Sequence, residues 1–314
     1  MKLGIEIGGT KLQLGVGDGK SAEMVELVRE PIDPAAGAGG ILQQIARLAG
    51  PLIRQHQVER VGIGFGGPVD AAQGRTLTSH QIEGWDQFPL RQWCQEELGV
   101  PAVIGNDCDV AALAESRHGA GEGKQSLFYV TVGTGVGGGF VHEGKLHGRG
   151  RPAAAEIGHL RPGLTADQPQ MTVESLASGW GIANTARARL NDATKQDAKD
   201  LLRRCQGNEE QLTAQLVAQA AADENALAKE VMEFACRVLG WAIAQVITLV
   251  APEVVVVGGG VSLIGERWFF APLRDEVQRY VFPPLANSYA LKPAALGETV
   301  VIQGALALAN SVAD

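Results

Sequence analysis

The sequence predicts an α/β protein of two lobes, each with a mixed β-sheet flanked by helices. The chain has 314 residues, which is enough for two domains of roughly 150 residues each. Segments with strand-like and helix-like patterns alternate along most of it. A pair of β-runs joined by glycines at 3–17 is echoed by a second pair at 127–144. Such internal similarity is typical of two related lobes.

The individual elements follow from local apolar patterns. Apolar residues alternate on both sides of Gly8-Gly9 and predict a hairpin. Apolar residues recur at helical spacing over 41–56. The remaining predicted strands are 24–29, 60–65, 100–104, 128–132 and 254–257, and the remaining predicted helices are 93–98, 107–118, a mainly helical stretch over 175–250, and 300–312. The predicted lobes are 1–118 with 302–314, and 119–301.

Charge and hydropathy exclude several classes of protein. Lys and Arg number 27 against 35 Asp and Glu, for a net charge of −8, whereas nucleic-acid affinity rests mainly on basic residues. The longest apolar stretch, 239–250, falls short of the roughly 20 residues of a membrane span. The first residues lead into a strand pattern rather than a signal peptide. We therefore expect a cytoplasmic protein that binds neither nucleic acid nor membrane.

The four cysteines lie far apart and form no C-x-x-C pair. They are Cys94, Cys108, Cys205 and Cys236. This spacing matches neither a zinc ribbon nor a disulfide framework. We expect four reduced, mostly buried thiols.

Three glycine-rich turns follow predicted strands. Glycine lets the backbone approach a ligand closely, and the bare N–H groups of such turns bind anions. One turn alone is best explained as a hairpin tip, but three turns, two of them containing Gly-Thr, favour phosphate binding. The P-loop and dinucleotide-binding patterns are both absent. The candidate nucleotide-binding residues are Gly8, Gly9, Thr10, Lys11, Gly133, Thr134, Gly135, Gly258, Gly259 and Gly260.

Polar residues stand at positions suited to a ligand. Asn106-Asp107 joins a predicted strand to a predicted helix, either as an N-cap or as part of a site. Glu156 and His159 make a poor metal site without further ligands nearby, so hydrogen bonding to a polyol is the better use. Glu174 fits either a ligand contact or the first turn of a helix. Nearby, Asp109 and Glu115 are predicted to be a first-turn charge and a solvated-face charge.

Taken in order along the chain, these motifs resemble the ROK family of sugar kinases and sugar-responsive repressors, within the actin/hexokinase/Hsp70 superfamily. The resemblance spans residues 3 to about 309. The matching segments are GIEIGGTK at 4–11, GIGFGGPV at 62–69, EGW at 83–85, ND at 106–107 with AALAE at 111–115, VGTGVGGG at 132–139, EIGH at 156–159 and VGGGV at 257–261.

The resemblance implies a two-lobed actin-like ATPase (ribonuclease H-like) fold, with a ligand cleft between the lobes and the last helix crossing back to the first lobe. It implies an ATP- and Mg²⁺-dependent kinase that transfers the γ-phosphoryl group to a hexose, with the 6-hydroxyl of glucose as the first candidate. Asp107 would be the general base, and Thr10 and Thr134 would meet the phosphates. A homodimer is also implied. The implied sugar-binding residues are Gly67, Asn106, Asp107, Glu156, His159 and Glu174.

Three departures from the family pattern bear on function. The segment 160–173 contains no Cys where most members carry a zinc signature, so we predict no structural zinc. Glu6 stands where the superfamily often has Asp, and the resemblance implies that it would lie near Mg²⁺ and contact it through water. HQIEGW at 80–85 replaces a common Asn-Leu-Pro-Gly-Trp run, and this leaves the preferred sugar open.

Two rival functions stay open, a sugar-binding regulator and a pseudo-kinase without catalysis. Regulators of the family carry a DNA-binding segment ahead of the first loop, which begins here at Gly4. The retained Asp107 disfavours a pseudo-kinase. The alternative substrates are N-acetylmannosamine, allose and fructose.

Overall fold

A computed structural model describes residues 1–79, 82–148, 151, 153–163 and 168–311. The chain divides into two compact units. Unit 1 comprises Met1–Tyr129, Gly139–Ala155 and Ala294–Asp314, and unit 2 comprises Val130–Gly138 and Glu156–Pro293. The lobes predicted from sequence, with boundaries at 118 and 302, stay a prediction.

Twelve strands and ten helices are found in the described residues. The strands are β1 (Lys2–Ile7), β2 (Lys11–Gly17), β3 (Glu26–Pro31), β4 (Arg60–Phe65), β5 (Val69–Asp70), β6 (Arg75–Thr76), β7 (Ala102–Asn106), β8 (Ser126–Val132), β9 (Val136–His142), β10 (Lys145–Leu146), β11 (Val254–Gly258) and β12 (Ala290–Pro293). The helices are α1 (Gly37–His56), α2 (Leu90–Leu98), α3 (Asp107–His118), α4 (Val173–Ala177), α5 (Gly179–Ala188), α6 (Lys195–Arg204), α7 (Ala214–Ala222), α8 (Ala226–Val250), α9 (Ala271–Tyr280) and α10 (Val300–Ser311).

The sheet of unit 1 has the strand order β3-β2-β1-β4-β7. Strand β1 pairs antiparallel with β2 and parallel with β4, and β4 pairs parallel with β7. Helix α10 packs against β1, β4 and α3, where the resemblance placed the last helix. Glycine is required at Gly62 and Gly304 because a Cβ atom there would overlap the carbonyl oxygens of Ala305 and Val110. At these two glycines the backbone of α10 packs directly against the backbones of β4 and α3.

A second five-stranded sheet has the order β10-β9-β8-β11-β12, and β11 pairs parallel with β12. The chain passes between the two units within β8 and within β9. Mixed sheets flanked by helices confirm the predicted fold class. Helix α9 and strand β12 were not predicted. Strand β12 has only four residues and ends at Pro293, so its pairing with β11, rather than its own composition, makes it a strand.

Helix α8 is the core helix of unit 2. Its 25 residues are long and apolar enough, by length and composition, to cross a membrane, because the helix begins well before the uninterrupted apolar stretch 239–250. Of its most apolar 18-residue window, 56% is buried inside the protein, and α8 packs against α7 and α9. Burial of this kind explains the apolar composition of the helix without a membrane. The four cysteines are free and buried, as predicted.

Asp200 on α6 links two helices of unit 2, α6 and α8. Its carboxylate accepts from Arg203 at 2.8 Å, Arg204 at 2.9 Å and Asn225 at 3.1 Å. Asn225 is also the N-cap of α8. Although burial acts to raise the pKa of Asp200, these hydrogen bonds lower it to about 2 from the ordinary 3.8. The ionised carboxylate therefore stabilises the folded unit.

We expect Asp200→Asn to lower the free energy of unfolding near neutral pH by on the order of 1–2 kcal/mol, after discounting for solvent screening. Because the folded pKa is depressed, the stabilisation is present above the unfolded value and is lost as the pH falls through the folded value. The deficit of the variant should therefore shrink at about pH 3. Urea unfolding at both pH values checks this, with the exposed Asp192→Asn as control. An equal deficit at both pH values would contradict the electrostatic explanation.

Candidate active site

The junction of β7 and α3 in unit 1 is the first part of the site. Asn106 is the N-cap of α3, and its Oδ1 accepts from the backbone N–H of Cys108 at 2.8 Å and of Asp109 at 3.3 Å. Its Nδ2 donates to the carbonyl of Gly67 at 3.0 Å. The N-cap interpretation of Asn106 is thus confirmed. The same side chain fixes the 66–67 loop beside the start of α3.

Asp107 lies close to the first glycine turn. One carboxylate oxygen, Oδ1, accepts from the N–H of Cys108 at 2.8 Å. A methyl group placed on Gly66 would lie 3.7 Å from Oδ2 of Asp107 and 3.6 Å from the Cα atom of Gly8. Burial raises the pKa of Asp107, while hydrogen bonds from Cys108 and Asn106 oppose the rise. The carboxylate is therefore a stronger proton acceptor than an ordinary Asp.

The first glycine turn, Gly8–Thr10, joins β1 to β2 close to Gly66. The N–H of Gly8 donates to the carbonyl of Lys11 at 3.1 Å, while Gly9 is half-buried and Thr10 is exposed. Nζ of Lys11 lies 3.5 Å from Oε1 of Glu6. Lys11 is thereby drawn toward the Glu6 carboxylate.

Glu6 is the residue for which the structure can be compared with the requirements of a Mg²⁺ site. It is 8% exposed, and burial raises its pKa, opposed by Lys11 and Gln13. No group of three or more metal-ligating side chains was found in the described part of the chain. Mg²⁺ keeps several waters and takes only one or two carboxylates together with substrate phosphates. A single carboxylate beside a glycine turn therefore fits this ion.

The second glycine turn, Gly133–Gly135, belongs to unit 2. The carbonyl of Gly133 accepts from the N–H of Gly179 at 2.8 Å, at the start of α5. The N–H of Val136 donates to Oε2 of Glu174 at 2.9 Å, and Thr134 is exposed. Glu174 lies in the first turn of α4. It is thus a first-turn helix acid that also holds the second turn in place.

The third turn, Gly258–Gly260, lies next to the second. Gly259 has φ of 87°, and a Cβ atom there would lie 2.5 Å from the carbonyl oxygen of Val132. This position therefore requires glycine. A methyl group on Gly133 would lie 4.0 Å from the N atom of Gly260. The structure thus brings together two of the three turns that the sequence singled out.

A cavity of ≈ 1070 Å³ opens beside these two turns, lined entirely by unit 2. It is large enough for a nucleotide. Trp180, which is 41% exposed, and Trp268 both line this cavity, although we expected no Trp to contact a ligand. Trp180 is the second residue of α5, and no local pattern distinguishes it from a core tryptophan. Among the other lining residues are Gly133, Thr134, Arg187, Gln215, Gln219 and Gly260.

The E-x-G-H segment of unit 2 forms a short 3₁₀ turn, Ile157–His159. A Cβ atom on Gly158 would overlap the carbonyl oxygen of Val136, so glycine lets this segment pack onto the end of the second turn. Glu156 is half-buried and His159 is exposed. The segment 160–173, where we predicted no zinc, includes 164–167, which lie outside the described residues, as do His80 and Gln81.

Glu115 on α3 does not lie on a solvated face, so that prediction was wrong. Its exposed fraction is 0%. Oε1 accepts from the N–H groups of Ala295 and Leu296, both at 2.9 Å, and Oε2 accepts from Ala120 at 2.8 Å. The helix is buried on several sides, because the apolar residues around Glu115 occupy most of its circumference. A carboxylate here serves as the acceptor for backbone N–H groups.

Comparison with solved structures defines the class of protein. A ROK family glucokinase from Streptomyces griseus, solved in complex with glucose and AMPPNP, is 30% identical, with a TM-score of 0.83 and 99% of each chain covered. The fold is therefore that of the actin-like kinases.

Sequence comparison agrees with this class. Glucokinase from Halalkalibacterium halodurans is 30% identical over 312 residues, covering 96% of this chain and 92% of that protein. N-acetylmannosamine kinase from Salmonella arizonae is 32% identical over 271 residues, covering 83% of each. The ROK family matches residues 2–312. The chain belongs to the ROK family.

Proposed function

We propose that the protein is an ATP-dependent hexose kinase, with the 6-hydroxyl of glucose as its first acceptor. The observation that carries this proposal is the place of Asp107, whose carboxylate lies beside Gly66 and the first glycine turn. The Streptomyces griseus glucokinase, which binds glucose and AMPPNP, supports both substrates.

Asp107 is the general base in this proposal. Oδ1 is held by the N–H of Cys108, so Oδ2 takes the proton of the sugar hydroxyl as the phosphoryl group is transferred. A general base contributes most when its pKa lies near the working pH, and burial moves the pKa of Asp107 in that direction. Unit 1 would also contact the sugar through Gly67 and Asn106.

Unit 2 supplies the other proposed sugar contacts, Glu156, His159 and Glu174. Carboxylates and imidazoles are suited to hydrogen-bond the hydroxyl groups of a sugar. Oε2 of Glu174 already accepts from Val136, so its second oxygen would serve the sugar. Glu174 would then join sugar binding to the conformation of the second glycine turn.

The cavity of unit 2 is the proposed nucleoside site. Trp180 and Trp268 offer indole surfaces on which a purine base can stack. The second and third glycine turns and Thr134 lie beside this cavity and would meet the phosphates, and Thr10 on the first turn would do so as well. Mg²⁺, held by Glu6 through water, would neutralise charge on the phosphates.

ADP release in the presence of Mg·ATP tests the proposal. The panel is glucose, fructose, mannose, allose, N-acetylglucosamine and N-acetylmannosamine, with Asp107→Asn protein as the control. Sugar-dependent release that is lost in the control is the expected result. If no sugar in the panel causes ADP release, but a sugar still raises the melting temperature, the protein would instead be a sugar-binding protein without kinase activity.

N-acetylmannosamine is the second candidate substrate, because the Salmonella arizonae relative of 32% identity is named a kinase for this sugar. The ratio of kcat/KM values for the two sugars decides between them.

The proposal further includes a cytoplasmic homodimer that binds neither nucleic acid nor membrane. Light scattering of the purified protein tests the dimer.

A further inference from the structure

Gln13 is a buried amide inside the sheet of unit 1. It lies on β2 between Leu12 and Leu14, and all three residues are 0% exposed. A buried amide is costly unless it is hydrogen-bonded. Nε2 of Gln13 donates to Oε2 of Glu6 at 2.7 Å and to the carbonyl of Glu298 at 3.3 Å. Within the described residues, Oε1 of Gln13 has no hydrogen-bond partner.

The pairing of β1 with β2 puts Gln13 directly opposite Glu6. Directly opposed residues of an antiparallel pair share one face of the sheet, with Cβ atoms about 5 Å apart. The other Glu6 oxygen, Oε1, lies 3.5 Å from Nζ of Lys11 at the end of the first glycine turn. Glu6 is therefore held between a buried amide and an ammonium group.

The two partners of Glu6 are unequal. Lys11 has a side chain that is 43% exposed, and its Nζ lies 3.5 Å from Glu6 Oε1, longer than the roughly 2.7–3.2 Å of a good hydrogen bond. Gln13 is fully buried and donates at the shorter distance. The amide is therefore the partner that fixes which way the Glu6 carboxylate points.

We propose that Gln13 is a positioning residue that orients the Glu6 carboxylate for the Mg²⁺-nucleotide. A Glu side chain has one more rotatable bond than Asp, and ordering it costs conformational entropy. The hydrogen bond from Gln13 offsets this cost before the ligand arrives. The inference rests on the proposed function, in which Glu6 acts near the phosphates.

The test is Gln13→Met, which keeps the length of the side chain and removes the donor. We expect the Mg²⁺ concentration for half-maximal activity to rise about tenfold, since a hydrogen bond to a charged group is lost. The KM for sugar should not change. A second buried glutamine, Gln303, donates to Ala22 at 3.3 Å and Thr299 at 3.2 Å, so Gln303→Met is the matched control with unchanged Mg²⁺ dependence.

A double-mutant cycle tests whether Gln13 acts through Glu6. If it does, Glu6→Gln combined with Gln13→Met should be no worse than Glu6→Gln alone, because the two residues act as a unit. Additive losses, or a Mg²⁺ dependence unchanged by Gln13→Met, would overturn the proposal and leave Gln13 a core residue. Should Gln13→Met fail to fold, Gln13→Asn, which keeps the amide but withdraws it by one methylene, answers the same question.

A binding measurement separates this inference from the proposed function. The readout is the part of the ADP-induced rise in melting temperature that requires Mg²⁺. A smaller Mg²⁺-dependent rise in Gln13→Met than in Gln303→Met supports the inference even if no sugar is phosphorylated. An equal rise in the two variants overturns it even if the kinase is active.

Discussion

Asp107→Asn should lower kcat by roughly 10²–10⁴-fold, the range associated with loss of a general base, while sugar affinity changes little. Asn keeps an oxygen for the N–H of Cys108, which Asp107 binds at 2.8 Å. The local geometry is therefore retained and only the proton acceptor is lost. Initial rates of ADP release and calorimetric titration with sugar measure the two quantities separately.

The matched control is Asp109→Asn, two residues further along α3, which should retain most of the activity. A different outcome for Asp107→Asn would reassign its role. Weakened sugar binding together with a normal kcat at saturating sugar would make Asp107 a sugar ligand, and the base would then lie elsewhere.

The raised pKa of Asp107 also predicts whether Asp107→Asn raises or lowers the stability of the folded protein. Because burial raises this pKa above the ordinary 3.8, the folded state holds the proton more tightly than the unfolded state. Its contribution to stability is thus present below the unfolded pKa and is lost as the pH rises through the folded pKa. Asp107→Asn should therefore be at least as stable as the wild type near neutral pH. Loss of activity without loss of stability distinguishes a catalytic role from a structural one.

Glu115→Ala should have the largest effect on stability, a loss on the order of 3–5 kcal/mol, because three hydrogen bonds to a charged acceptor, each contributing on the order of 1–2 kcal/mol, are lost together. The carboxylate accepts from the N–H groups of Ala120, Ala295 and Leu296. Removal leaves these three donors without their partner and opens a cavity in the core. Urea unfolding followed by circular dichroism measures the change.

Glu122→Ala, at an exposed position just beyond α3, is the control and should change stability little. Glu115→Gln keeps one acceptor oxygen and should lose less than Glu115→Ala. A loss below about 1 kcal/mol in Glu115→Ala would show that water or backbone relaxation satisfies the three donors.

Local chemistry explains what the sequence predicted well. Asn is among the best N-cap residues, so an N-cap was one of the two interpretations of Asn106-Asp107 that local sequence supported, and the structure confirms it for Asn106. The glycine turns were found because glycine is the residue that permits close backbone approach, as at Gly259 beside Val132. The resemblance to the ROK family, which matches residues 2–312, rests on these same motifs.

Contacts between distant parts of the chain explain what the sequence did not reveal. Glu115 was expected in solvent because nothing near it in sequence indicates that Ala295, 180 residues away, donates its N–H group to the Glu115 carboxylate. Trp180 could not be assigned before α5 was seen to line the cavity of unit 2. Strand β12 exists through its pairing with β11.

The sequence by itself determined the fold class, the family, the three glycine turns and the strand-to-helix junction at Asn106-Asp107, because glycine and N-cap preferences act within a few residues. Only the tertiary structure decided the surroundings of these motifs. Gln13 lies opposite Glu6 because of the register between β1 and β2. Glu115 accepts hydrogen bonds from distant N–H groups because of the way α3 packs. Glu174 accepts a hydrogen bond from Val136, 38 residues away. Burial and hydrogen bonding at these positions are set by chain segments that meet only in the folded protein.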